Sequence, residues 1–187
     1  ASMRNATVTT IAPTGTISII AGCSSGIEPL FAVSYFRSVL EGSLLLEENR
    51  QFREVAMRRG FYSRDLLGEI ASTGSCRNIA SVPEDVKRLF VTAFDITPEW
   101  HVRMQAAFQK YTDNAVSKTV NLPRSATVGD VRDIYRQAVA LKLKGITVYR
   151  YGSRESQPLT FVSEDTGSEG GRVFDSEWTG NCRSCAQ

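Results

Sequence analysis

No apolar run in this 187-residue sequence approaches the roughly 20 residues that a bilayer crossing requires. No basic segment followed by an apolar one marks a secretory signal. Neither sign of charge dominates. Lys and Arg number 22 against 20 Asp and Glu, and a net charge of +2 gives no argument for a membrane surface or a nucleic acid as partner. Cysteine is scarce and uneven: Cys23, Cys76, then Cys182 and Cys185 close together. That is not the framework of a disulfide-stapled secreted domain, and it fits a cytoplasmic protein with a special terminal pair. The one histidine, His101, lies beside an apolar helical pattern and reads as packing rather than as a metal ligand. Cys23 and Cys76 read as small buried hydrophobes.

What is present is enough for one globular core, with 42% apolar and 22% charged residues. Thr7 to Ile11, dense in β-branched residues, predicts a strand that Pro13 ends. Gly15 permits a tight turn, and Thr16 to Ala21 a short helix. Leu30 to Leu40 is β-like again. Helical patterns follow. Phe52, Val55 and Ala56 share a face stopped by Gly60; Leu66, Leu67 and Ile70 share one closed by Gly74. Val86, Leu89, Phe90 and Ala93 form a third, with Ser81 and Glu84 in capping-box spacing. Thr97-Pro98-Glu99 opens a helix whose inward stripe is Trp100, Met104, Ala107, Phe108 and Tyr111. Ala115 to Leu122 reads as a strand. Thr127 and Asp130 open a helix with Val131, Ile134, Tyr135, Ala138 and Leu141 inward, Lys142 and Lys144 in its last turn and Gly145 as its stop. Ile146 to Tyr151 closes the pattern as a strand. Strands alternating with helices predict an α/β fold with parallel pairing, over residues 1–153. Residues 154–187, rich in Ser, Glu, Gly and Thr, read as a polar, flexible tether.

Two motifs carry chemistry. In "TIAPTGTIS" a strand, a glycine turn and a helix start bring free backbone N–H groups together, and Thr14, Thr16 and Ser18 add hydroxyls. An anion fits there, although no Lys follows the glycine as in a Walker loop, and Thr and Gly also serve plain capping. At the other end, Cys182 and Cys185 form a Cys-x-x-Cys pair on the tether. Such thiols exchange with a disulfide elsewhere, or make half a zinc site, or do neither.

"RNATVTTIAPTGTIS" followed by "GCSSGIEPLF", then "PEDVKRLFVTAFDITPEWHVRMQAAFQKYTDNAVSKTVNLP" and "KGITVYRYGSR", resembles the C-terminal half of the catalytic chain of ribonucleotide reductases. The likeness is strongest to the adenosylcobalamin-dependent, class II kind. It covers Arg4 to Arg154, and the tail ends in "CRSC" as such tails often do. The resemblance implies the C-terminal part of a ten-stranded α/β barrel with added helices and a flexible tail. It assigns Pro13, Thr14, Gly15, Thr16, Ile17 and Ser18 to the substrate's phosphates. It makes Cys182 and Cys185 the pair that reduces an active-site disulfide and is itself reduced by a thioredoxin-type partner. Tyr149 lies where class I relatives carry two adjacent tyrosines; Arg150 breaks that pair here, which agrees with class II and leaves Tyr149 near the pocket. The radical-forming cysteine, its partner thiol, an asparagine and a glutamate belong upstream, so no catalytic radical residue is expected in this chain. A ribonucleotide, adenosylcobalamin and the N-terminal remainder of the enzyme are the implied partners, with no membrane, nucleic acid or metal site. A different class of reading is a non-catalytic nucleotide-phosphate module with a metal-binding tail.

Overall fold

The computed structural model describes residues 4–38, 44–153, 159–160 and 173–175. In chain order the elements begin with α1 (Gly15–Ala21), β1 (Ser34–Ser38), β2 (Leu44–Glu48), α2 (Arg50–Arg58) and α3 (Arg64–Thr73). Then come α4 (Glu84–Leu89), α5 (Pro98–Gln109), β3 (Thr119–Leu122) and α6 (Val128–Ala140). The last are β4 (Thr147–Arg150), β5 (Leu159–Thr160) and β6 (Val173–Asp175). They fall into two compact units. One draws on residues 4–31 and 91–153, the other on residues 32–90 with β5 and β6.

The second unit is a mixed sheet, order β5-β1-β2-β6, with helices α2 to α4. β1 and β2 pair antiparallel, Ser34 opposite Glu48, and β6 lies parallel to β2. The hairpin partner β2 has no signature in "LLLEE", which neither alternates nor carries β-branched residues. α2 is capped by Asn49, which accepts the Phe52 N–H at 2.9 Å, and α3 by Ser63, which accepts the Leu66 N–H at 3.1 Å. Phe52 is fully buried and meets the Phe61 and Phe90 rings edge-on. The expected capping box at Ser81 does not form. Pro83 is the N-cap of α4, and its side chain can accept nothing. Cys76 is buried as expected, whereas Cys23, in the first unit, is exposed. Residue 153, the expected boundary, ends one described run; within the expected tether 159–160 and 173–175 pair in the sheet as β5 and β6, and Cys182, Cys185 and the rest lie outside the described residues.

The first unit holds the parallel pairing. β3 and β4 run side by side, Thr119 opposite Thr147 and Asn121 opposite Tyr149, connected through α6. Val102, Val120, Leu122 and Ile134 form the core, with Val131, Leu143, Ile146 and Val148 packed against it. Thr127 and Asp130 close a full capping box on α6. That helix ends at Ala140 with Leu141 as its C-cap, and Lys142 beyond takes a left-handed φ of 58°. Gly145 is therefore not the stop, and Lys142 and Lys144 lie past the last turn. Tyr135 and Leu141 face outward. The first expected strand is an extended segment rather than a ladder. Only Ile11 bridges Val116, while Asp113 holds Val8 and Thr9 by accepting both of their N–H groups.

α5 starts as expected, with Thr97 at the N-cap and Pro98 at N1, yet its faces are the reverse of the expectation. Trp100, Met104, Phe108 and Tyr111 are exposed, and His101, Val102, Gln105 and Gln109 are buried. The reason is unmet backbone. Gln105 Nε2 donates to the carbonyls of Val116 and Gly145, and Gln109 Nε2 to those of Thr112 and Asn114. Four carbonyls at irregular chain ends are satisfied by two amides, which draws a polar face inward. The exposed apolar face, with Ile27, Pro29 and Ile96, lines a cleft of about 720 Å³.

Candidate functional site

The turn begins where Pro13, which has no N–H, ends the extended segment. Thr14 then adopts φ 51°, ψ 23°, and α1 starts at Gly15. The left-handed residue is Thr14, not the glycine that sequence alone assigned to the tight position. A β-branched residue is costly there, of order 1–3 kcal/mol, and persists only where its surroundings hold it. Gly15 has a helical backbone, and a Cβ placed on it would meet nothing within 4 Å. The first-turn N–H groups of Gly15, Thr16 and Ile17 have no partner among the described residues, and all three residues are exposed. No acidic side chain lies in that turn to repel an anion. No Lys or Arg stands between Arg4 and Arg37, so attraction comes from N–H groups and hydroxyls alone.

Ser18 differs from its expected part. It is buried, and its hydroxyl donates to the Gly15 carbonyl at 2.6 Å, so it holds the turn rather than offering a proton outward. The Cys23 and Gly22 N–H groups bond the Ser18 and Ile19 carbonyls, and Gly22 at φ 63° ends α1. Gly26, at φ 51°, then passes against the turn: a Cβ there would stand 3.3 Å from the Ala12 carbonyl oxygen and 4.0 Å from Thr14 Oγ1. Tyr149 is half-buried on β4 opposite Asn121, on the strand pair rather than in the turn.

Sequence reasoning missed the ionic centre beneath these segments. Lys118 is 2% exposed, and its ammonium donates to Glu28 Oε2 at 3.0 Å, His101 Nδ1 at 2.9 Å and the Thr119 carbonyl at 2.8 Å. The other Glu28 oxygen accepts the Thr119 N–H at 2.5 Å. His101 Nε2 donates to the Ala93 carbonyl at 2.8 Å, which makes the ring the neutral Nε2–H tautomer, with Nδ1 as acceptor. Burial, aided by the Lys118 charge, holds His101 below its ordinary value near 6.5, against the pull of the Ala93 carbonyl. Burial also lowers Lys118, while Glu28 opposes it. A lysine inside the apolar run "AVSKTVNL" was a usable signal, because a buried ammonium needs an acid partner.

The sign of the pH dependence follows. The unfolded chain takes up a proton at His101 before the folded one does. The stability this histidine contributes is therefore complete above about pH 6.5 and is lost as pH falls through its lowered folded value. Glu28 and Lys118 both face the ring, so a proton on Nδ1 would point at an ammonium. We expect the urea midpoint to fall between about pH 7 and pH 5.5, and His101→Gln to flatten that slope. Parallel pH profiles for the two proteins would contradict it.

Known proteins resemble the chain along nearly its whole length. A vitamin B12-dependent ribonucleoside-diphosphate reductase of Mycobacterium tuberculosis is 51% identical over 184 residues, 97% of this chain and 26% of the relative. One from Thermoplasma acidophilum is 53% identical over 164 residues, 88% of this chain and 21% of the relative. The chain thus spans about a quarter of the length of the curated relatives it matches. Among solved structures, the class Id ribonucleotide reductase alpha subunit of Actinobacillus ureae shares the fold, with a TM-score of 0.60 at 19% identity over 75% of this chain and 25% of that one. Residues 1–149 match the family described as "Ribonucleotide reductase, barrel domain", and the chain belongs to the ribonucleotide reductase family as an α/β piece of that barrel.

Proposed function

We propose that this chain is part of a cytoplasmic, cobalamin-dependent ribonucleoside-diphosphate reductase, and that residues 13–18 hold the substrate's phosphates. The observation that carries the reading is the set of three exposed N–H groups of Gly15, Thr16 and Ile17, unpartnered among the described residues, in the family's phosphate-turn motif. Thr14 and Thr16 supply hydroxyl donors, and Ser18 braces the turn through the Gly15 carbonyl. Phosphate bound this way anchors the nucleotide by its remote end, leaving the ribose free to be placed by the rest of the enzyme. The relatives' names support a diphosphate substrate.

The parent reaction replaces the ribose 2′-OH with hydrogen, with electrons from paired thiols. Adenosylcobalamin would supply the first radical in the parent, and the radical-bearing residues belong to its remainder. The C-terminal segment, paired into the sheet at 159–160 and 173–175, carries Cys182 and Cys185 between the active-site disulfide and a thioredoxin-type reductant. Among the described residues no helix is long and apolar enough to cross a membrane.

Gly15→Val in the intact reductase tests the turn. The space around a Cβ at Gly15 is open, so the fold tolerates the change while the added methyls occupy the approach to the N–H groups. We expect the KM for a ribonucleoside diphosphate to rise at least about tenfold, the equivalent of 1.4 kcal/mol, with melting unchanged. An unchanged KM would overturn the reading.

A further inference from the structure

We propose that Ser117, Lys118 and Thr119 clamp the two arms of the phosphate turn together, and that Lys118 and Glu28 are positioning residues for the substrate's phosphates. This rests on the phosphate reading of residues 13–18. The arm entering the turn is held at Ile11, whose carbonyl accepts the Ser117 N–H at 2.9 Å. The arm leaving it is held at Glu28, whose two carboxylate oxygens accept the Thr119 N–H at 2.5 Å and the Lys118 ammonium at 3.0 Å. Three consecutive residues therefore close a loop whose tip is the turn itself. Between the arms Gly26, at φ 51°, leaves little room: a Cβ there would stand 3.3 Å from the Ala12 carbonyl oxygen. The left-handed Thr14 lies within the loop so closed.

The ammonium cannot touch a phosphate itself. Its three hydrogens are spent on Glu28, His101 and the Thr119 carbonyl, so its effect on substrate passes through Glu28. His101 fixes it from α5. The ring's other nitrogen bonds the Ala93 carbonyl, and the Ala93 N–H bonds the Leu30 carbonyl at 2.7 Å, so the leaving arm is pinned a second time two residues on. The device is one of preorganisation: a loop held before substrate arrives binds it without an ordering cost.

The test is the double variant Glu28→Met with Lys118→Met in the intact reductase. It removes both charges together and so leaves neither one unpaired in the core. We expect a folded protein with a lowered melting temperature, faster amide exchange at Ser18 and Cys23 without ligand, and a KM for the ribonucleoside diphosphate raised about tenfold with kcat within about twofold. Should that protein not fold, Glu28→Gln gives the same readouts. It keeps an acceptor for Thr119 but turns an amide N–H toward the ammonium. A folded variant with unchanged exchange and unchanged KM overturns the clamp. A KM that rises for Gly15→Val but not for the clamp variants overturns the clamp alone. A KM indifferent to all of them overturns the phosphate reading on which it stands.

Discussion

Replacing Lys118 alone with methionine lowers stability by about 3–5 kcal/mol, because removing one partner of a buried pair leaves the other uncompensated. The Lys118 side chain is 2% exposed and that of Glu28 24%, so some of the stranded carboxylate's cost is relieved by water and the lower half of that range is expected. Three acceptors lose their donor together: Glu28 Oε2, His101 Nδ1 and the Thr119 carbonyl. Urea unfolding of the single and double variants separates the terms. The single change costs several kcal/mol, and adding Glu28→Met recovers the part due to the stranded carboxylate, while His101 Nδ1 and the Thr119 carbonyl stay without the ammonium. A single-variant loss below about 1 kcal/mol would put this pair with ordinary surface ion pairs and contradict its description as a buried centre.

Changing Cys182 and Cys185 together to serine in the intact reductase abolishes turnover driven by thioredoxin and preserves turnover driven by a small dithiol. The reason is access. A protein reductant is too bulky to reach a disulfide inside a barrel, while a tethered pair arrives at an effective concentration of order millimolar. Equal loss with both reductants would mean a structural role, and stoichiometric zinc at the pair would make the thiolates metal ligands.

Local signals were legible and distant ones were not. The starts of α5 and α6 are written in Thr97-Pro98 and in Thr127 with Asp130, because a cap is settled within one turn. The turn proposed for phosphate is local in the same way: its free N–H groups belong to the consecutive residues Gly15, Thr16 and Ile17. The faces of α5 were misread because periodicity counts apolar residues and cannot see that Val116, Gly145, Thr112 and Asn114 present carbonyls needing the amides of Gln105 and Gln109. Thr14 rather than Gly15 takes the left-handed backbone, which residue type alone would have assigned to the glycine. The Glu28–Lys118 pair joins residues 90 apart. Both residues sit in stretches that carry the family resemblance, yet nothing in either stretch names the other.

The proposed function stands on the backbone of Gly15, Thr16 and Ile17 as the seat of the substrate's phosphates. Crystals of the intact reductase soaked with a ribonucleoside diphosphate test it most directly. Phosphate oxygens are expected within about 2.7–3.2 Å of those three nitrogens, with the Ser18 hydroxyl still on the Gly15 carbonyl. Nucleotide bound with its phosphates elsewhere and this turn empty would contradict it.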